Sequence, residues 1–164
     1  IVTSTAAMFI MMYLNTYAIS HVWFSETRTY MALYMGAGMA IIMLAFMLGM
    51  YNNKKLNVTI FLMAAVIFVA CVYLVRSQST VSDTAYMKAM IPHHSIAILT
   101  SERSNIEDVR VRELADGIIK AQRKEIKEME WLINDISKNG KATSQVQAER
   151  RPLPEFEGKL NKGE

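Results

Sequence analysis

The pattern of hydrophobic and polar positions divides the chain into two halves of different kind. Residues 1–22, 30–51 and 56–75 are three long apolar runs without a charged residue. Each is close to the roughly 20 residues that a helix needs to cross about 30 Å of hydrocarbon. The pattern therefore predicts three transmembrane helices within residues 1–76.

Small residues recur on one side of the second apolar run. Ala32, Gly36 and Ala40 follow one another at every fourth position. This spacing lets the backbones of two helices approach closely in a membrane. We therefore expect close packing of the spans along this stripe.

The second half of the chain begins with a pattern that is typical of a soluble helix. Ser82 or Asp83 can cap a helix that runs to about Ser104. Pro92 lies inside it and cannot donate a backbone hydrogen bond, so the helix is expected to kink or restart near residue 91.

A longer helix is predicted to follow. Ser104 with Glu107 has the spacing of a capping box, and apolar residues keep helical spacing until Asn139 and Gly140, a good stop signal. The two helices predict an extramembrane hairpin over residues 77–140.

The hairpin is too small to bury much surface alone, so we expect self-association, in which two hairpins form a four-helix bundle. Residues 141–164 contain two of the three prolines and few apolar residues, which indicates a loosely ordered tail. The fold class is therefore all-α, with three spans, a hairpin and a tail.

The charge distribution bears on orientation and on partners. Residues 1–76 carry four basic and one acidic residue, 4 − 1 = +3, whereas residues 77–164 carry 14 of each. No basic face for nucleic acid is therefore predicted. Lys54 and Lys55 place the loop between the second and third spans in the cytoplasm, and hence the C-terminal half on the opposite side.

The strongest candidate chemistry lies in the segment Met-Lys-Ala-Met-Ile-Pro-His-His over residues 87–94. On a helix, Met87, Met90 and His94 share one face, while His93 lies about 100° around the axis. Thioether sulfur and imidazole nitrogen are donors that suit a thiophilic ion such as Cu(I) better than Mg²⁺ or Ca²⁺. The segment therefore predicts a soft metal site.

The second helix offers possible partners for this site. Gln122, Glu125 and Met129 lie at helical spacing within its apolar stripe, where an amide and a carboxylate need a partner. They could join the shell of a metal or orient an imidazole. Alternatively, His93 and His94 are only hydrogen-bonded to Glu125 and Gln122, and the methionines fill the core.

Other polar residues give weaker signals. Trp23, Phe24 and Tyr30 look like an interfacial aromatic belt, so His21 beside them is expected to be an interfacial side chain. Glu102 and Arg103 are expected to be surface charges. The motifs of di-iron bundles, zinc peptidases, phosphate-binding loops and serine hydrolases are absent from the sequence, and we therefore expect no enzyme.

The stretch Met-Ile-Pro-His-His-Ser-x-Ala-Ile at 90–98 and the pattern from Val111 to Leu132 resemble the bacterial domain-of-unknown-function family 305 over about residues 82–137. Resemblance to that family implies a ferritin-like helical bundle, and some periplasmic members bind copper or silver through methionine and histidine. The corresponding residues here are Met90, His93, His94, Gln122, Glu125 and Met129, with Met87 added on spacing. The three spans look like those of a membrane-bound subgroup.

The sequence thus predicts a protein of the bacterial inner membrane whose C-terminal domain lies on the periplasmic or outer side. It is expected to bind Cu(I) or Ag(I) for sequestration or handover, as a homo-oligomer in contact with membrane lipid. The alternative is a structural or accessory subunit of a membrane protein assembly without bound metal.

Overall fold

The computed structural model describes residues 1–160, which contain α-helices and no strand, so the all-α prediction is confirmed. The helices are α1 (Val2–Met11), α2 (Glu26–Met47), α3 (Lys54–Ser77), α4 (Asp83–Arg103), α5 (Val109–Asn139) and α6 (Gln145–Arg150). They form two compact units. Unit 1 comprises Ile1–Leu14 and Ser25–Val81, and unit 2 comprises Asn15–Phe24 and the chain from Ser82 onward.

Unit 1 contains two helices, α2 and α3, that are long and apolar enough to cross a membrane. Each begins with a side-chain cap: Ser25 accepts a hydrogen bond from the backbone N–H of Arg28, and Asn53 accepts one from Leu56. The two helices pack against each other. The second and third predicted runs therefore form helices of the expected length.

The prediction of a third span over residues 1–22 is wrong. Helix α1 ends at Met11, and the chain then passes through turns to a single turn of 3₁₀ helix at Ile19–His21. Tertiary contacts replace the helix here, because the backbone N–H of Tyr17 donates to Oγ of Ser95, 2.7 Å away. Two candidate spans, not three, are present among the described residues.

The expected close packing along the small-residue stripe of α2 is confirmed at Gly36. A Cβ atom at Gly36 would lie 2.2 Å from Oγ1 of Thr5 in α1, so a larger residue at this position would collide with the Thr5 side chain. Ala32 is buried on the same side of α2.

Unit 2 is built on the α4–α5 hairpin. Ser82 caps α4 by accepting from the backbone N–H of Ala85, and the helix continues through Pro92 without the predicted restart. Helix α5 ends at Gly140, as predicted, where φ of +75° favours glycine.

The predicted start of α5 at Ser104 is wrong by four residues. The Ser104 hydroxyl donates instead to the carbonyl of Thr100, 2.6 Å away, and closes the end of α4. Asp108 provides the cap, because its carboxylate accepts from the backbone N–H groups of Arg110 and Val111. Residues 104–108 therefore form the turn between the helices.

The core of unit 2 consists of apolar side chains from α4 and α5, with aromatic residues of Asn15–Phe24 packed against them. The described residues after α5 also contact that helix: Arg151 pairs with Asp135 at 2.7 Å, and Lys127 donates to the carbonyl of Glu157 at 3.2 Å. The predicted tail over 141–164 extends beyond the described residues.

Candidate metal centre

Helix α4 contributes three of the predicted ligands to the interior of unit 2. Met87 is buried in the core, Met90 is partly buried against it, and the side chain of His94 is 12% exposed. His93 is exposed, with its ring centroid 6.1 Å from that of His94. The helix thus brings Met87, Met90 and His94 inward together, and it leaves His93 at the surface.

Helix α5 contributes the other predicted residues from the facing side. Met129 is buried in the same core as Met87. Gln122 is partly buried, and its Oε1 atom has no hydrogen-bond partner among the described residues. Glu125 lies at the edge, where its carboxylate reaches His94. We call Met87, Met90, His94 and Met129, with Gln122 and Glu125 beside them, the Met/His cluster.

Both nitrogens of the His94 ring have partners. Nδ1 lies 2.9 Å from the carbonyl oxygen of Met90, and because a carbonyl only accepts, Nδ1 carries a proton. Nε2 lies 2.7 Å from Oε2 of Glu125, a separation that requires one proton between the two atoms. The ring is therefore either an imidazolium facing a carboxylate or a neutral ring that accepts from a protonated Glu125.

A metal ion could reach His94 only at Nε2. For this, Glu125 has to turn away, and its side chain is 47% exposed, so that water can replace the histidine as its partner. Rotation of one half-exposed carboxylate would thus make Nε2 available for a metal without a change in the hairpin.

The chemistry of the cluster differs from that of a hard-ion or zinc site. The described part of the chain contains no group of three or more His, Cys, Asp or Glu residues placed to hold a metal. Three thioethers lie in or against one apolar core, and one partly buried imidazole, that of His94, lies on the same helix as two of them. Such a set fits a soft ion and does not fit Mg²⁺ or Ca²⁺.

The expectation that Glu102 is a surface charge is wrong. Its side chain is 8% exposed and pairs at 2.5 Å with Arg123 of α5, which is 7% exposed. Arg123 also donates to the hydroxyl of Tyr17 and to the backbone carbonyl of Lys159. One signal in the sequence pointed to this pair: Arg123 lies four residues after Ile119 and three before Ile126, on the buried face of α5.

The segment Asn15–Phe24 contacts the hairpin through hydrogen bonds to Ser95. The hydroxyl of Ser95 accepts from the backbone of Tyr17 and lies 2.9 Å from Nδ1 of His21. Ser95 is fully buried, so its contact with a histidine does not make it an accessible nucleophile. This contact could not be predicted from the amino-acid pattern, because residues 21 and 95 lie in separate parts of the chain.

A cavity of about 250 Å³ lies beside this segment, and it contains ionisable groups from both sides. Burial lowers the pKa of His21 below 6.5 and raises the pKa of Glu130 above 4.5. Both shifts have the same cause, because loss of water disfavours the charged form of each group. Arg123 and Lys127 line the same cavity.

Comparison with known proteins adds a relative and a family. The chain is 33% identical over 88 residues to an uncharacterized protein, L153, of Acanthamoeba polyphaga mimivirus. The match covers 52% of this chain and 58% of the viral protein. No solved structure matches. The model of a domain of unknown function (DUF305) matches residues 74–157, slightly more than half of the chain, and the chain therefore belongs to the DUF305 family.

Proposed function

We propose that unit 2 binds a soft metal ion, Cu(I) or Ag(I), at the Met/His cluster, and that the protein sequesters the ion or hands it on. Helices α2 and α3 would anchor the chain in the bacterial inner membrane. The two lysines at the start of α3 favour a cytoplasmic loop between these helices, and hence a periplasmic or outer position for unit 2.

One observation carries the proposal. The last 88 residues contain three methionines, and all three belong to or pack against a single core cluster that adjoins His94. Thioethers also fill cores without any function. On the same helix as Met129, the buried Oε1 of Gln122 has no partner among the described residues, and a buried acceptor without a donor is costly.

The test is a titration of the full chain in detergent with Cu(I), in competition with a chromogenic chelator. A fragment starting at residue 77 is unsuitable, because Asn15–Phe24 is part of unit 2. Replacement of Met87 and Met129 by leucine nearly conserves volume and should cost less than about 1.5 kcal/mol each in stability. We expect the double variant to lose Cu(I) uptake.

Three further variants make the titration specific. Met63 lies in α3 and is exposed within unit 1, so Met63→Leu should leave uptake unchanged. His94→Asn should weaken uptake, and His93→Ala tests the exposed histidine separately. Uptake that survives both Met87→Leu/Met129→Leu and His94→Asn would refute the proposal.

The second candidate function is that of a non-catalytic structural or accessory subunit in a membrane protein assembly. It is favoured by the hydrogen bonds of His94, whose two ring nitrogens have partners without any metal. Metal analysis of the full chain, purified without chelator, separates the two functions. Stoichiometric copper or silver supports the first, and a stable assembly without metal supports the second.

A further inference from the structure

We propose that the outer face of α5 is an interface at which two copies of this chain pair in antiparallel orientation, with the two-fold axis between Gly117 and Ile118. The inference does not depend on metal binding, although the surface extends to Glu125, which contacts His94 of the Met/His cluster. It replaces the general expectation of self-association by a defined face and register.

The first observation is an exposed apolar strip on α5. Leu114 is 64% exposed and Ala121 is exposed, although both lie in the same helix as the buried core residues. Together with Gly117 and Ile118 they line a shallow groove of about 560 Å³ whose rim carries Arg110 and Glu113. In the part of the chain that the structure describes, Arg110, Glu113, Leu114, Gly117 and Ala121 are all exposed.

The second observation is Gly117 itself. It lies in the middle of a 31-residue helix, where glycine costs roughly 1 kcal/mol relative to alanine. A Cβ atom at this position would meet nothing within 4 Å, so packing inside one chain does not require glycine. Close approach of another helix does require it, as Gly36 illustrates in unit 1.

Charge complementarity identifies the occupant as a second copy and fixes the direction. Arg110 and Glu125 lie at opposite ends of the strip, about 60° apart around the helix axis at about 100° per residue. In an antiparallel pair with the axis at 117/118, Arg110 of each copy lies level with Glu125 of the partner subunit. A parallel pair would place like charges level with each other, which is unfavourable.

The pairing also touches the Met/His cluster. Arg110 is 90% exposed and pairs with Asp108 of its own chain, and Glu125 is 47% exposed while it contacts His94. A guanidinium from the partner would compete with His94 for the Glu125 carboxylate. Dimer formation would therefore favour the rotation of Glu125 that opens Nε2 of His94.

The expected interface is small. From Arg110 to Glu125 the helix is about 24 Å long, and a strip about 10 Å wide buries on the order of 250 Å² per copy. Stable complexes bury about 800 Å² per partner. The pair should therefore be weak in dilute solution, and covalent trapping is a better test than a mass measurement.

The test uses the full chain in membranes with Cys71, the single cysteine, replaced by serine. Gly117→Cys lies next to the axis, and a disulfide needs Cα atoms within about 7 Å. We expect diamide to trap a Gly117→Cys dimer. Asn134→Cys, at an exposed position far from the axis on the same helix, is the control and should stay monomeric.

The register is tested by a mixture. Leu114→Cys alone should not cross-link, because the two copies of residue 114 lie seven positions, or about 10 Å, apart along the axis. Mixed with Ala121→Cys it should form a heterodimer. Cross-linking of Leu114→Cys alone would show a parallel pair, and a Gly117→Cys yield no higher than that of Asn134→Cys would show no pairing here. Either result overturns the proposal.

Discussion

Removal of Arg123 should destabilise unit 2 more than any other single charge. Arg123 and Glu102 are almost fully buried and pair at 2.5 Å, and Oε2 of Glu102 has no hydrogen-bond partner among the described residues. In Arg123→Ala the carboxylate of Glu102 would be left in the interior without its cation. Breaking a buried pair in this way costs about 3–5 kcal/mol, a large part of the about 5–15 kcal/mol that stabilises a typical domain.

The two tryptophans, Trp23 and Trp131, both belong to unit 2, so their fluorescence follows the unfolding of this unit and not that of α2 and α3. Urea unfolding of the full chain in detergent should show a midpoint lowered by one to several molar for Arg123→Ala, since urea slopes are about 1–3 kcal/mol per molar.

A double variant distinguishes an unpaired charge from lost packing. Glu102→Leu combined with Arg123→Met replaces both charges by apolar groups of similar length, a change that is often neutral or stabilising. We expect the double variant to be more stable than Arg123→Ala and Arg123→Met. A cost below about 1 kcal/mol for Arg123→Ala, or a double variant as unstable as the sum of its single changes, would refute the reasoning.

Three further predictions concern separate positions. In Gly158→Ala, a Cβ atom would lie 1.8 Å from the carbonyl oxygen of Lys120, so the C-terminal segment should leave α5 and become sensitive to limited proteolysis; unchanged protection would contradict this close contact. Burial lowers the pKa of His21, so the unfolded chain binds more protons and unit 2 should lose stability as the pH falls below 6.5. Urea midpoints at pH 5 and pH 8 measure this pH dependence, and His21→Gln should remove the part of it that comes from His21. The raised pKa of Glu130 has the opposite effect on stability. Gly36→Ala would place a Cβ atom 2.2 Å from Oγ1 of Thr5 and should lower the thermal stability of unit 1 followed by circular dichroism, and Thr5→Ala in the same chain should recover part of the loss; no loss in the single variant would contradict the close packing of α1 on α2.

Local signals were sufficient to predict the hairpin. Ser82 marks the start of α4 and Gly140 marks the end of α5, because capping depends on neighbouring residues only. The helical spacing also predicted that the inner face of α4 meets that of α5, and the contact of His94 with Glu125 agrees with it. The function of these residues was not fixed by the same pattern, since thioethers and a histidine serve either as ligands or as core.

Long-range contacts decided the parts where sequence reasoning was wrong. The first apolar run is long enough for a membrane span, but its helix ends at Met11. The second half of the run contacts the hairpin instead, where the backbone N–H of Tyr17 donates to Ser95, 78 residues away in the sequence. Glu102 looked like a surface residue because it lies near a helix end, and it is buried because Arg123 faces it across the hairpin.

The helical class, the two apolar helices and the hairpin could thus be predicted from the amino-acid pattern, because periodicity and caps are local properties. The assignment of soft metal donors stays a prediction. Three features emerge only from the folded molecule: residues 15–24 complete unit 2, His94 and not His93 turns inward, and a buried ion pair joins α4 to α5. These features depend on contacts between residues that lie far apart in the sequence. A short stretch of sequence does not contain both residues of such a contact.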